Sequence, residues 1–327
     1  MNNAIFFIRS PFQMLCAINA LQTFNVNGDF IIIKEAGDRY LQVENMAKMN
    51  GLSYKITGPQ EMPMLDKYLA VLKYAFQNKS DKVYDYVFVG DFRNINTTAY
   101  AMSFANKGAK LFYLDDGSNM IPLLQNQHRW TSVEKFKRLL NKILFMKKRI
   151  QGVCYYTIYS DIHNNKYNIV PNDMSHIANK ARQDSVVLFI GTSSDVYCRS
   201  LGIEKDRYLK ICRQLFRSIH LNNPGSHILY IPHGRENMQE VFDLCYDENI
   251  EVKKLDICIE YYLTLNGIKP YLVAGFGSNA LFTIKKMFPE TQVVNFFIKG
   301  NDKKAYEEYD NISKYYEANG IITEHIG

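Results

Sequence analysis

Nowhere does this chain carry 18 uninterrupted apolar residues, so no membrane-spanning helix is expected. Its six cysteines (Cys16, Cys154, Cys198, Cys212, Cys245 and Cys258) form no C-x-x-C pair and keep no ligand-like spacing to histidine. No metal site is expected from them. Four lie in strongly apolar surroundings, where a thiol behaves as a small hydrophobe, and a reducing cytoplasm is the simplest home. Also absent are a Walker sequence, an H-E-x-x-H pair and a D-x-D arrangement. The opening MNNAIFFIRSPFQMLCAINAL has apolar character but lacks a basic leader and a small-residue cleavage pattern. Arg9, Pro11 and Gln13 interrupt it, so it reads as a strand followed by a helix rather than a signal.

The 327 residues suit two domains, since single cores stop growing at roughly 250–300 residues. Hydrophobic content of 47% with 22% charge is a globular balance and excludes disorder. A net charge of +6 suits anionic ligands or an anionic membrane surface and is too small to argue for a nucleic-acid partner.

In the first half, short apolar runs alternate with helical patterns. Strands are expected at residues 4–8, 30–33, 54–56, 86–89 and 111–114. Helices are expected after Ser10-Pro11, over residues 40–49 and 64–76, and around Tyr100 and Phe104. Ser10 is the expected N-cap, with Pro11 at the first helical position. The segment EKFKRLLNKILFMKKR (residues 134–149) places Leu139, Leu140, Ile143 and Leu144 on one helical face among seven basic residues. Its plainer reading is a helix packed on the sheet with a solvated basic side. Its sharper reading is a peripheral contact with anionic lipid headgroups on the inner face of the membrane.

Polar residues 171–184 read as an interdomain connection, dividing the chain into domains 1–170 and 185–327. Beyond it the alternation restarts, with strands expected at 185–190, 228–231, 251–255, 271–274 and 293–297. Helices are expected around 208–219, 238–245, 260–265, 280–287 and 304–317, and the last could cross back to the first domain. Alternating strands and helices imply right-handed βαβ units, and hence an α/β chain of two doubly wound, Rossmann-like domains.

Chemistry gathers where these strands end. The strand KLFYL runs into Asp115-Asp116-Gly117-Ser118, and two acids are costly to bury unpaired, so they belong at the carboxyl edge of a sheet. Equally, they could simply shape a turn. Ser10, Gln13 and Asn94 follow other strands of the first half and are candidate sugar contacts. In the second half the strand ends offer Gly191-Thr192, His233-Gly234-Arg235 and Gly277-Ser278-Asn279. Hydroxyls, helix-start amides, a histidine and an arginine are what a phosphate needs. GFGSNA also fits the dinucleotide pattern G-x-G-x-x-A. It stands late in its domain, however, and the next strand ends on Asn295 rather than a ribose-binding acid.

Taken together, YLDDGS, IPHGRE and FGSNAL resemble the acid-acid-Gly, His-Pro and Ser-containing motifs of bacterial sialyltransferases. With SPFQMLCAINAL at the start, the chain looks most like glycosyltransferase family 52, the lipooligosaccharide and capsule sialyltransferases. Gly234 stands where the His-Pro motif has proline. The resemblance implies a GT-B fold, two Rossmann-like domains facing across a cleft, with the acceptor on the N-terminal domain and the nucleotide on the C-terminal one. It implies an inverting, metal-independent transfer of sialic acid from CMP-sialic acid to a surface-glycan hydroxyl, with no cofactor. Asp115 would be the general base and Asp116 its orienting partner. His233 would assist the departing phosphate, held by Ser278 and Asn279 with help from Arg235. The acceptor would be a lipid-linked glycan, and a homodimer is left open. The family also includes enzymes that move other sugars, so a UDP-hexose is the nearest alternative donor. An NAD-dependent oxidoreductase built on GFGSNA and a non-catalytic nucleotide-binding protein are the more distant alternatives.

Overall fold

The computed structural model describes residues 2–34, 39–57, 82–174, 177 and 182–327, with the backbone alone for 182–185. The expected helix over 64–76 lies outside the described residues. The chain divides into two compact units, Met1–His176 and Ile177–Gly327.

In the first unit, strands β1 (Asn2–Ile8), β2 (Val26–Ile33), β3 (Ser53–Thr57), β4 (Tyr84–Val89), β5 (Ala105–Leu114), β6 (Gly152–Thr157) and β7 (Asn168–Pro171) form one sheet. Their order is β3-β2-β1-β4-β5-β6-β7, with every pairing parallel. Continuous apolar runs such as AIFFI suit strands covered on both faces. Helices α1 (Pro11–Thr23), α2 (Arg39–Met49), α3 (Ile95–Ser103), α4 (Met120–Leu124) and α5 (Ser132–Lys148) belong to this unit.

Register in this sheet is marked by four phenylalanines. Phe30, Phe6, Phe88 and Phe112 are partners on β2, β1, β4 and β5. Their rings stack with centroids 4.7, 4.4 and 4.9 Å apart. Each such pair contributes about 0.5–1.5 kcal/mol beyond its buried area. A one-residue slip would move every ring to the opposite face. The ladder therefore lines up the carboxyl ends of β1, β4 and β5.

The second unit repeats the plan. Strands β8 (Arg182–Ile190), β9 (His227–Ile231), β10 (Glu251–Val252), β11 (Ile268–Gly275), β12 (Gln292–Ile298) and β13 (Ile322–Ile326) run parallel in the order β10-β9-β8-β11-β12-β13. Its helices are α6 (Ser194–Leu201), α7 (Lys205–Asn222), α8 (Met238–Tyr246), α9 (Ile259–Leu265), α10 (Asn279–Met287) and α11 (Lys303–Ala318). Helix α11 packs on β12, β13 and α6, within this unit. In both sheets the strand order reverses beside the first strand, between β1 and β4 and between β8 and β11. Ligands of open α/β sheets bind at such switch points.

Several elements differ from the sequence expectation. Strands β6, β7 and β13 were not anticipated, nor were helices α4 and α6. GVCYYT, NIVP and ITEHI are short and lack a clear period, and neighbouring strands recruit them. The strand expected over 251–255 pairs only at Glu251–Val252. Helix α5 corrects the reading of its apolar stripe. Thr131 caps it in a reciprocal box with Glu134, and Leu144 and Asn141 are buried. Leu139 and Ile143, expected on the packed face, are 57% and 53% exposed alongside Phe136 and Met146. All six cysteines are buried thiols. Among the described residues, no helix is long and apolar enough to cross a membrane.

Candidate functional site

Each unit gathers a cluster of polar side chains at its strand ends. In the first, Ser10 leaves β1 and caps α1, its hydroxyl accepting the Gln13 amide at 3.3 Å with Pro11 next in the helix. Asn94 does the same for α3, its side chain accepting from the Thr97 amide at 3.0 Å. Two of the three expected sugar contacts, Ser10 and Asn94, thus serve as helix caps.

Gln13 does more. It is buried, its Oε1 accepts the Arg9 amide at 2.9 Å, and its Nε2 donates to Asp116 Oδ1 at 3.0 Å. Gly90, at the end of β4, lets it lie there, since a Cβ on Gly90 would fall 2.1 Å from Gln13 Oε1. The ends of β1, β4 and β5 are therefore joined through one side chain.

The paired acids face different surroundings. Asp115 is 0% exposed. Its Oδ1 accepts the Thr157 hydroxyl at 2.5 Å and its Oδ2 the Ile158 amide at 2.9 Å, both from the end of β6. Burial pushes its carboxyl up to about 7 despite those two donors. Asp116 turns outward with its side chain 16% exposed, held by Gln13 and by the guanidinium of Arg93. Partial burial and the nearby Asp91 carboxylate raise it to about 6, against the pull of Arg93 and Gln13. Gly117 then takes φ +69°, a left-handed turn that glycine adopts without strain. Asp115 thus ties β5 to β6, while Asp116 is the partly exposed carboxylate of the pair.

In the second unit, Thr192 at the end of β8 donates its hydroxyl to the Phe276 carbonyl at 2.9 Å, joining the two strands of the switch point. Gly277 has φ +56° and gives its amide to Asn295 Oδ1 at 2.8 Å. Buried Asn295, on β12, also donates to Ser313 at 3.1 Å. Ser278 caps α10, accepting the Ala280 amide at 3.3 Å, and Asn279 Nδ2 reaches Thr283. Anions favour such helix starts, although the Gly277 amide is already committed.

After β9, Glu236 organises the loop that bears His233. It accepts the Tyr230 hydroxyl and the His233 amide, each at 2.6 Å. Burial raises its carboxyl to about 7. Gly191 makes room for it, because a Cβ there would lie 2.1 Å from Glu236 Oε2. His233 is exposed, and its Nδ1 accepts the Arg235 amide at 3.2 Å. This assigns the ring proton of the neutral imidazole to Nε2. Arg235 is exposed. The β8, β9 and β11 ends therefore present Thr192, His233, Arg235 and Ser278 on one edge of the second sheet.

Sequence reasoning missed four contributors. Arg93 and Asp91 lie in a loop with no motif, Thr157 ends a strand that the sequence pattern does not predict, and Glu236 stands beside His233 without a motif of its own. Glu236 carried a usable signal, an acid three residues after a strand-end histidine. Thr157 carried none. Among the described residues, no group of three or more His, Cys, Asp or Glu side chains is placed to hold a metal ion.

No family model matches the chain, and no curated protein matches it in sequence. Solved structures do. The α/β-galactoside α-2,3-sialyltransferase of Photobacterium phosphoreum aligns over 98% of both chains with a TM-score of 0.53 at 12% identity. UGT89C1 of Arabidopsis thaliana, complexed with UDP-L-rhamnose, aligns over 98% of this chain and 84% of its own, with a TM-score of 0.53 at 7% identity. The UDP-GlcNAc 2-epimerase of Neisseria meningitidis, bound to UDP-GlcNAc, aligns over 96% and 90%, with a TM-score of 0.50 at 11% identity. Two parallel-sheet Rossmann-like units and these full-length likenesses show that the chain has the GT-B fold.

Proposed function

We propose that the protein is an inverting glycosyltransferase that moves sialic acid from CMP-sialic acid to a hydroxyl of a surface glycan. The observation that carries the reading is Asp116, a carboxylate poised near neutrality at the carboxyl edge of the first sheet, held by Gln13 and Arg93. We assign the base role to Asp116 rather than to Asp115, because Asp115 is fully buried against Thr157 and Ile158 whereas the Asp116 side chain is partly exposed. Asp115 instead fixes the turn from which Asp116 projects.

The acceptor hydroxyl would attack the anomeric carbon of sialic acid on the face opposite CMP. A new C–O bond forms as the bond to the phosphate oxygen breaks, and that electron pair leaves on CMP. Asp116 takes the hydroxyl proton. His233, through Nε2–H, donates to the phosphate oxygen as charge grows on it, while Ser278, Asn279, Arg235 and Thr192 bind the phosphate. The oxocarbenium-like transition state needs its departing charge stabilised, and these donors supply that without a metal. The acceptor belongs to the 1–170 side and the donor to the 185–327 side. The solvent-facing apolar stripe of α5, flanked by Lys135, Lys142 and Lys147, would hold the enzyme peripherally at an anionic membrane surface carrying a lipid-linked acceptor.

A UDP-sugar donor is the second reading, because UGT89C1 and the Neisseria protein were solved with UDP-sugars. Melting temperatures with CMP and with UDP separate the two, since a ligand that binds only the folded state raises the transition. CMP is expected to raise it and UDP to leave it unchanged; the reverse favours the second reading. Near-normal transfer from CMP-sialic acid by Asp116→Asn or His233→Ala would remove the mechanism.

A further inference from the structure

Helix α5 covers more than the sheet. Between it and β5, β6 and the chain leading into β7 lies a cavity of about 200 Å³, lined by Tyr113, Tyr155, Tyr167, Arg138, Lys142 and Lys166 among others. Pockets for drug-sized ligands run to about 300–1,000 Å³, so this one suits a single sugar ring. The tyrosines form a bent aromatic wall. Tyr113 and Tyr155 lie 5.5 Å apart at 35°, and Tyr155 and Tyr167 lie 5.1 Å apart at 71°. Arg138 is held in place by Trp130, its guanidinium 4.0 Å above the indole. The lining contains three cationic side chains and no carboxylate. Like charges gathered in a concave site repel one another unless an anion joins them. Asn141, in the same wall and 4% exposed, gives its amide to the Ile95 carbonyl and leaves Oδ1 without a donor.

We propose that this cavity binds an acidic sugar, a pyranose ring carrying a carboxylate or a phosphate. Apolar faces of the ring lie against the tyrosines. Arg138 takes the anionic group through two parallel N–H donors, and Lys142 and Lys166 add charge. Tyr113, on β5, stands two residues before Asp115 in sequence, so the cavity and the acid pair draw on the same strand. On the transferase reading above, the bound ring is an acidic residue of the acceptor glycan. The cavity's chemistry stands without that reading.

Titration calorimetry on the full chain tests this with glucuronic acid, glucose 1-phosphate, glucose and inorganic phosphate as probes. The two acidic sugars are expected to bind at least about ten-fold tighter than glucose or phosphate, because each lacks one half of the recognition. Arg138→Gln is expected to weaken acidic-sugar binding about ten-fold. Lys166→Gln, at an exposed position where folding is not at stake, should weaken it a few-fold. Equal binding of glucose, equal binding of phosphate alone, or an unchanged affinity in Lys166→Gln would each overturn the proposal. The CMP-induced rise in melting temperature, read on the same wild-type chain, tests the transferase reading separately. Acidic-sugar binding without a CMP response would leave the cavity assignment standing and the donor assignment fallen.

Discussion

The Gln13 side chain donates to Asp116 Oδ1 at 3.0 Å across 103 residues of sequence, while its own Oε1 accepts the Arg9 amide. One buried amide thus orients the partly exposed member of the acid pair and, with Arg93, leaves it a shielded carboxylate. Asp116 is expected to be proton-acceptor-competent only when ionised. Transfer measured as kcat/KM should rise with pH through about 6 and level off above it. In Asp116→Asn this ascending limb should disappear and transfer should fall by about 10²–10⁴-fold, with melting temperature nearly unchanged. A limb that persists in Asp116→Asn would assign the titration elsewhere.

Asp115 makes the opposite prediction. Its folded-state pKa is raised to about 7 from 3.8, so the folded chain holds this proton more tightly than the unfolded chain. The contribution to stability is full below about pH 4 and is lost as pH rises to about 7. Asp115→Asn cannot lose the proton. Denaturant titrations across this range should show its stability gaining on the wild type as pH rises. Asp115→Ala strips the acceptor from Thr157 and Ile158 and should destabilise by about 1–3 kcal/mol.

Gly90→Ala would place a Cβ 2.1 Å from Gln13 Oε1 and 2.4 Å from Gln13 Cδ. A loss of about 1–3 kcal/mol in unfolding free energy is expected from such overpacking. Transfer should also fall as Gln13 is pushed from Asp116. Gln13→Ala in the same chain should restore stability but not transfer, a non-additivity that a double-mutant cycle reads directly.

Glu236→Ala would leave the Tyr230 hydroxyl and the His233 amide without their acceptor. About 1–3 kcal/mol of stability should be lost, and the His233 loop should loosen. A CMP-induced melting shift smaller than in the wild type would follow, and Glu236→Gln, which keeps an acceptor oxygen, should recover part of it.

Replacing Leu139 and Ile143 together by Ser should leave the fold intact, because both side chains face solvent. Flotation with phosphatidylglycerol vesicles should then fall from wild-type retention, while neutral vesicles should retain neither protein.

Much of this molecule was legible locally. Ser10-Pro11 announced the start of α1 because an N-cap and an N1 proline act within one turn. Buried runs such as AIFFI and KLFYL announced parallel strands because a strand covered on both faces carries no alternation. The glycine after two acids marked a turn at a strand end, and Gly117 takes the left-handed conformation there. All of these rest on neighbours in sequence, and strand–helix alternation was enough to specify two Rossmann-like units.

What surrounds each acid was decided only by tertiary contacts. Asp115 and Asp116 are adjacent and chemically identical, and their difference comes from Thr157 and Ile158 on one side and Gln13 and Arg93 on the other. Strand β6, which brings Thr157 into place, has too weak a pattern to be read and forms because β5 offers it an edge. On α5 the periodicity revealed an apolar face, but only packing chose Leu144 for the interior and left Leu139 and Ile143 outside. Local pattern set the elements and their order, because backbone conformation answers to near neighbours. Side-chain environment answers to whatever the fold brings alongside, and that is what separated Asp116 from Asp115.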